Sequence, residues 1–360
     1  MVVDCAAAKP ARRNISAPAG ALCALLLLAA PTRAQSFDDY FHPVDTIALS
    51  TDALIGDIGS IDVDADSRML IKDQQQSAVH LFAADGSLIR TLSVEACNPG
   101  FEMHPIKAVF NGDEIFMSNS GAWGYRFNRD GTCKGPVDSE YRPSEATAAV
   151  PAPDDEIEGG YRAGSIFELR TLPTGYWIQE FDHTGRLIAE FEQDDYLTRY
   201  IDRFGLKFIM VDDEHVYLSL PNRPTVRRYT RDGSYVDETG FVPDGFREIR
   251  SDIQVPEGDV AAMMREVPRQ IAPYSSVHSA GLLNADTFLV QYSSRALGSR
   301  EGGVLVFAYG LDGEERIPPL AFDRMVYHTA TGRVYVVSDE KVTTAELTNP
   351  SIVVYQWNDE

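Results

Sequence analysis

Positive charge, cysteine and long apolar runs are all scarce in this chain, and each shortage excludes a class of function. There are 32 Lys and Arg against 54 Asp and Glu over 360 residues, a net charge of −22. Such a surface repels phosphate backbones and anionic membranes, so nucleic acid and membrane surface are not expected partners. Only four cysteines occur, and none forms a Cys-x-x-Cys redox or zinc motif. The longest apolar run, Ala21 to Ala30, falls well short of the ~20 residues a membrane span needs. Nucleophile elbows (G-x-S-x-G) and H-E-x-x-H zinc motifs are missing too.

That short apolar run has a different meaning at the N-terminus. Lys9, Arg12 and Arg13 precede it, and Thr32-Arg33-Ala34 follows with small residues at the positions a signal peptidase reads. Residues 1–34 are therefore expected to be an export signal, leaving 35–360 as a single domain in the periplasm or outside the cell. No lipoprotein-like cysteine follows the run, which favours a free product. Cleavage would leave 28 Lys and Arg against 53 Asp and Glu, a net charge of −25. It would also remove Cys5 and Cys23. The remaining Cys97 and Cys133 suit a disulfide in an oxidising compartment, but the repeat register places them toward opposite ends of neighbouring units. The sequence leaves that bridge open.

What the chain does have is a repeat. An aromatic residue stands four positions before a turn glycine in five copies: Phe82/Gly86, Phe127/Gly131, Phe181/Gly185, Tyr229/Gly233 and Tyr309/Gly313. A sixth copy starts at Tyr355 and breaks off at Asn358-Asp359. Six short apolar runs, each behind a polar turn, provide a second marker: Met69–Ile71, Ile115–Met117, Tyr176–Ile178, Val216–Leu218, Phe288–Val290 and Val334–Val337. Unbroken runs of this kind fit strands covered on both faces, and the turns carry residues that tolerate left-handed dihedrals. The expected fold is all-β: a six-bladed β-propeller of four-stranded antiparallel blades. Ser351 to Trp357 would be the third strand of the last blade, with Val44 to Ser50 returning as its outermost strand and closing the ring.

In this register the turn-rich hairpins share one face, and the long connections fall on the other, the top. Insertions are expected at about 137–163 and 237–276, with a further loop from Ser293 to Gly303. Gly258 to Gln270 reads as a short helix disturbed by Pro268. Function tends to reside on loops held by a rigid scaffold, which makes the top face the expected working face.

The stretch Ile61 to Leu92 (IDVDADSRMLIKDQQQSAVHLFAADGSLIRTL) resembles an NHL repeat. Asp73 takes the strand-end aspartate, Val79 and Phe82 the third strand, and Gly86 the turn; Asn119, Ser219 and Ser338 stand near the Asp73 position in later copies. The resemblance implies a six-bladed NHL-like or TolB-like propeller and does not select an activity.

Candidate sites follow from the starts of the innermost strands, which bring His104, Lys107, Ser165, Lys207, His278, Ser279, Asp323 and Arg324 toward the axis. The set is mixed in charge and poor in carboxylates, whereas hard cations want several oxygens. No cofactor is therefore expected; calcium, with Asn119 and Asp323 as ligands, is the minor candidate. Asp62, Asp64, Asp66 and Asp73 imitate a calcium loop but lack its glycine, and a solvated hairpin is the better account. His104 and His278 lack a third histidine at an equivalent position, as catalytic zinc would want. Ser338–Lys341 has S-x-x-K spacing without its companion motifs, and Arg295 and Arg300 suit an anion clasp or plain solvation.

The reading is an exported propeller that binds a small-molecule ligand or protein partner on its top face, more binding module than enzyme. His104, Lys107, Lys207, His278, Asp323 and Arg324 are its ligand-binding candidates, with no metal site. The alternative is a metal-dependent hydrolase or lyase, lactonase- or arylesterase-like, with its site on the axis.

Overall fold

Strand after strand is built from β-branched and aromatic residues and ended by Asp-, Asn- or Gly-containing turns, so local propensity and pairing agree. A computed structural model describes residues 35–119, 124–137, 146–149, 165–172, 175–182, 186–193, 208–212, 214–249, 253, 260–293, 303–338 and 349–358. The expected export signal lies outside them. A single turn of helix, α1 (Phe37–Tyr40), leads into β1 (Phe41–Ala48). Then come β2 (Ile58–Val63), β3 (Met69–Asp73), β4 (Ala78–Phe82) and β5 (Leu88–Thr91), paired in that order. The next sheets are β6 (Pro105–Asn111), β7 (Glu114–Asn119), β8 (Tyr125–Asn128), β9 (Cys133–Pro136), and β10 (Ala146–Ala149), β11 (Ile166–Leu172), β12 (Gly175–Phe181), β13 (Leu187–Gln193). A fourth holds β14 (Phe208–Val211), β15 (His215–Ser219), β16 (Val226–Thr230) and β17 (Tyr235–Thr239).

After helix α2 (Val260–Ile271), which includes Pro268, follow β18 (Ser276–Leu282), β19 (Thr287–Ser293), β20 (Val304–Gly310) and β21 (Glu315–Ala321). The last sheet orders β22 (Val326–Ala330), β23 (Arg333–Val337), β24 (Ser351–Trp357) and β1. The N-terminal strand thus pairs with the C-terminal one, Phe41 opposite Trp357. All these pairings are antiparallel, and the fold is a β-propeller of four-stranded antiparallel blades.

The repeat glycines make the third-to-fourth-strand turns. Gly86, Gly131, Gly233 and Gly313 take φ of 82°, 80°, 90° and 79°. Each donates its amide three residues back, as Gly86 does to Ala83 and Gly233 to Thr230. The aspartate before each glycine accepts an amide two residues on, as Asp85 does from Ser87 at 2.9 Å. This αL-plus-bulge hairpin requires glycine, and packing requires it again. A Cβ on Gly86 would stand 2.2 Å from the Ala48 carbonyl oxygen, and one on Gly233 2.5 Å from Phe191. The turns therefore rest on the outermost strand of the preceding sheet. The repeat aromatics Phe82, Phe127, Tyr229 and Tyr309 have no exposed surface, and the core lies between sheets: Ile61, Ile71 and Phe82 pack against Ile47, Tyr335 and Ile352.

One sheet departs from expectation. Its first strand, β10, lies inside the segment 137–163 that the sequence offered as an insertion. Tyr176–Ile178 consequently belongs to the third strand rather than the second, and Ser165 precedes β11 rather than opening an inner strand. Ala-Thr-Ala-Ala carries none of the apolar bulk by which the other strands are recognised. The stretch 150–163 of that expected insertion lies outside the described residues.

Cys97 and Cys133 form a disulfide, with Cα atoms 6.1 Å apart. The chain after β5 folds back, the Cys97 and Asn98 amides both donating to the Val94 carbonyl. That turn brings Cys97 to the head of β9, which the repeat register did not anticipate.

Candidate functional site

The first strands of the sheets surround a cavity of about 990 Å³. Its wall is formed by β2, β6, β14, β18 and β22, together with Lys72, Gln74 and Ser77. That volume lies at the upper end of small-molecule sites.

A shared backbone irregularity aims side chains into it. The pairing of first with second strand slips by one residue at Gly59, Ile106, His278 and Tyr327, each left without a partner across the ladder. All four bulged residues line the cavity. A bulge bends the strand and re-aims its neighbours, which is why bulges gather at sites.

Of the six candidate residues, His104, Lys107 and His278 line the cavity. His104 is half exposed; its amide donates to Asn119 Oδ1 at 2.6 Å, and its Nε2 stands 3.8 Å from Glu102. His278 is buried, and that burial holds its ring below the ordinary histidine pKa. Asp323 and Arg324 sit just before β22 and are not part of the wall. Asp323 is exposed. Arg324 is tied to the scaffold, Nη1 donating to Tyr355 Oη at 3.0 Å and its carbonyl accepting from Gln291 Nε2 at 2.6 Å. Lys207 lies outside the described residues, as do Arg295, Arg300 and residues 339–341 of the Ser338–Lys341 motif.

Two residues outside that candidate set also line the wall. Asp62 on β2 and His328 on β22 face each other, Oδ1 3.6 Å from Nδ1. The second Asp62 oxygen accepts the Phe110 amide at 2.7 Å. Burial raises the Asp62 carboxyl above its usual range, opposed by His328, the Phe110 amide and Lys107. Burial likewise lowers His328, opposed by Asp62, with Lys107 lowering it further. Both side chains keep about a fifth of their surface open, 21% and 17%, so neither is sealed in the core. The His328 Nε2 is closed to solvent and has no hydrogen-bond partner, which leaves it poorly placed to take a proton from a ligand. Asp62 stood in an Asp-rich run and read as part of a turn. A carboxylate inside the inner strand Ile58–Val63, between Ile61 and Val63, was the signal that would have found it.

The other members of that run separate. Asp64 caps the β2–β3 turn by accepting the Arg68 amide at 2.8 Å, and it pairs with Arg68 and Arg129. Asp66 pairs with Arg129. Asp73 is fully buried and accepts four amides, from Gly56, Asp57, Gln75 and Gln76. Asn119, at the equivalent place in the next sheet, does a similar job for His104. Among the described residues, no three His, Cys, Asp or Glu side chains gather to hold a metal ion. Among them also, no helix is long and apolar enough to cross a membrane.

No family model matches the chain, and no curated protein matches it in sequence. Solved structures do. A candidate exported protein of Bacteroides fragilis superposes with a TM-score of 0.63 at 12% identity, over 90% of this chain and 97% of that one. A DUF4221 family member from Bacteroides vulgatus gives 0.56 at 9% identity, over 90% and 100%. At such identities the likeness concerns the fold alone, a β-propeller of four-stranded antiparallel blades.

Proposed function

We propose that this chain is an exported six-bladed propeller that binds a ligand in its central cavity and at the top-face mouth, without catalysing its conversion. Six four-stranded sheets support the blade count. Each first strand lies against the next, and β22 lies against β2, as a closed ring requires. Pairing of β1 with β24 ties both ends of the described chain into one blade. The observation that carries the binding reading is the cavity itself, roomy, polar on one side, and furnished by bulges on four strands. The closed-off His328 Nε2 favours binding over acid–base chemistry.

The test is native mass spectrometry and thermal-shift screening of the mature protein against Ala280→Trp, which sets a bulky ring into the cavity wall. A bound or stabilising compound lost in the variant supports the reading. Equal response in both places the site elsewhere. Stoichiometric calcium or zinc surviving desalting would favour the hydrolase or lyase alternative. N-terminal sequencing of exported protein is expected to begin at Gln35.

A further inference from the structure

Lys72 and Lys107 line the cavity with one carboxylate, Asp62, among the described residues, inside a chain whose net charge is −22. The local excess of cations runs against the protein's overall sign. Lys72 belongs to a second strand, paired with Ser60 next to the Gly59 bulge, and lines the cavity from there. Lys107 follows the Ile106 bulge. The polar residues Ser60, Asp62, Lys107 and His328 occupy the arc β22–β2–β6. In a ring of six, β14 stands across from β2, and its lining run is Phe208-Ile209-Met210-Val211. Phe208 and Met210 pack against the core shared with the next sheet and are only partly buried, so each keeps some apolar surface uncovered.

From this juxtaposition we infer that the cavity takes an amphiphilic carboxylate, its head on the Lys72/Lys107 arc and its apolar body against β14. The inference rests on the closed-ring reading and the cavity site above. An ammonium-to-carboxylate contact is the stronger class of hydrogen bond, and it gains further where water is restricted. An aliphatic body gains about fourfold in affinity for each methylene buried, the equivalent of ~0.8 kcal/mol. Aromatic and thioether surfaces such as Phe208 and Met210 accept a range of apolar shapes.

Calorimetric titration of the mature protein with sodium octanoate, sodium acetate and octylammonium chloride, below micelle-forming concentrations, tests it. Octanoate is expected to bind, acetate to show no measurable heat, and octylammonium to bind at least about tenfold more weakly. Lys107→Gln should weaken octanoate about tenfold and Lys107→Arg should retain it. Lys72→Gln is the second variant should the first not fold. Asp62→Asn, which removes the opposing carboxylate, should tighten it. Octylammonium binding as tightly as octanoate, and lost in Ala280→Trp, would overturn the carboxylate assignment while leaving the cavity site intact. Absence of octanoate binding, with a library compound still lost in Ala280→Trp, would do the same. Octanoate binding that Ala280→Trp leaves unchanged would overturn this inference and the cavity reading together.

Discussion

The turn face and the cavity wall are both built from a repeated backbone device, yet only one of them repeats in residues. At the turns, four glycines share a φ near 80–90°, four aspartates cap the same amide, and four aromatics fill the same inter-sheet space. In the wall, four inner strands share a one-residue slip, but the slipped residues are Gly59, Ile106, His278 and Tyr327. A left-handed turn dictates its residue, because few side chains tolerate that conformation. A bulge adds one residue of any kind and re-aims it. The scaffold is therefore written in sequence, while the cavity is free to vary.

If that division is right, damage to the turn face should fall on stability. Phe82→Ala is the largest case. It empties a fully buried site between the first and last sheets and should cost about 3–5 kcal/mol, read from urea denaturation midpoints. A loss below about 1 kcal/mol would show that the aromatic repeat is not what holds neighbouring sheets together. Asp73→Ala comes next, at about 2–4 kcal/mol, because four amides lose a buried charged acceptor. Asp73→Asn keeps one acceptor oxygen and should recover part of it.

Glycines permit a finer division. Gly233→Ala meets both a φ of 90° and Phe191 at 2.5 Å, and should cost about 1–3 kcal/mol. Gly313→Ala meets a similar φ of 79° but nothing nearer than Thr239 Oγ1 at 3.7 Å, so about 1 kcal/mol is expected. Equal costs would mean that the turn conformation alone demands glycine and that its seating on the preceding sheet contributes nothing.

Legibility in the sequence follows the same line. Four third-to-fourth-strand turns, the strand Ser351–Trp357, its pairing with an N-terminal strand and the helix near 258–270 were all readable from local patterns. β10 was not, since Ala146–Ala149 has no apolar bulk and its neighbours are Pro- and acid-rich. Missing it shifted the register of that sheet by one strand. In the site, His104, Lys107 and His278 were reached by counting strand starts. Asp62 and His328 were not, because a bulge breaks the period-two alternation from which facing residues are counted. Asp323 and Arg324 precede β22, which opens only at Val326, and the lining begins at Met325.

The smallest expected effect concerns protons. His80, His278 and His328 are each held below the ordinary histidine pKa, chiefly by burial. A ring whose folded pKa is depressed binds fewer protons than it does in the unfolded chain. Stability from these sites is therefore complete above about pH 6.5 and declines as pH falls through the window below it. Asp62 acts in the opposite sense, since its raised pKa lets the folded state keep a proton the unfolded chain has lost. Its contribution grows as pH falls, but only from its folded pKa downward, and so it offsets part of the histidine loss. For His278 burial causes the shift, so His278→Gln should flatten its share of the slope and leave the rest. Denaturation midpoints measured at pH 7.5 and 5.5 should converge slightly in that variant. An unchanged difference would mean that His278 is open enough to water to titrate normally. The wall would then be wetter at β18 than its burial implies, and the contrast between a dry scaffold and a restricted cavity would lose one of its supports.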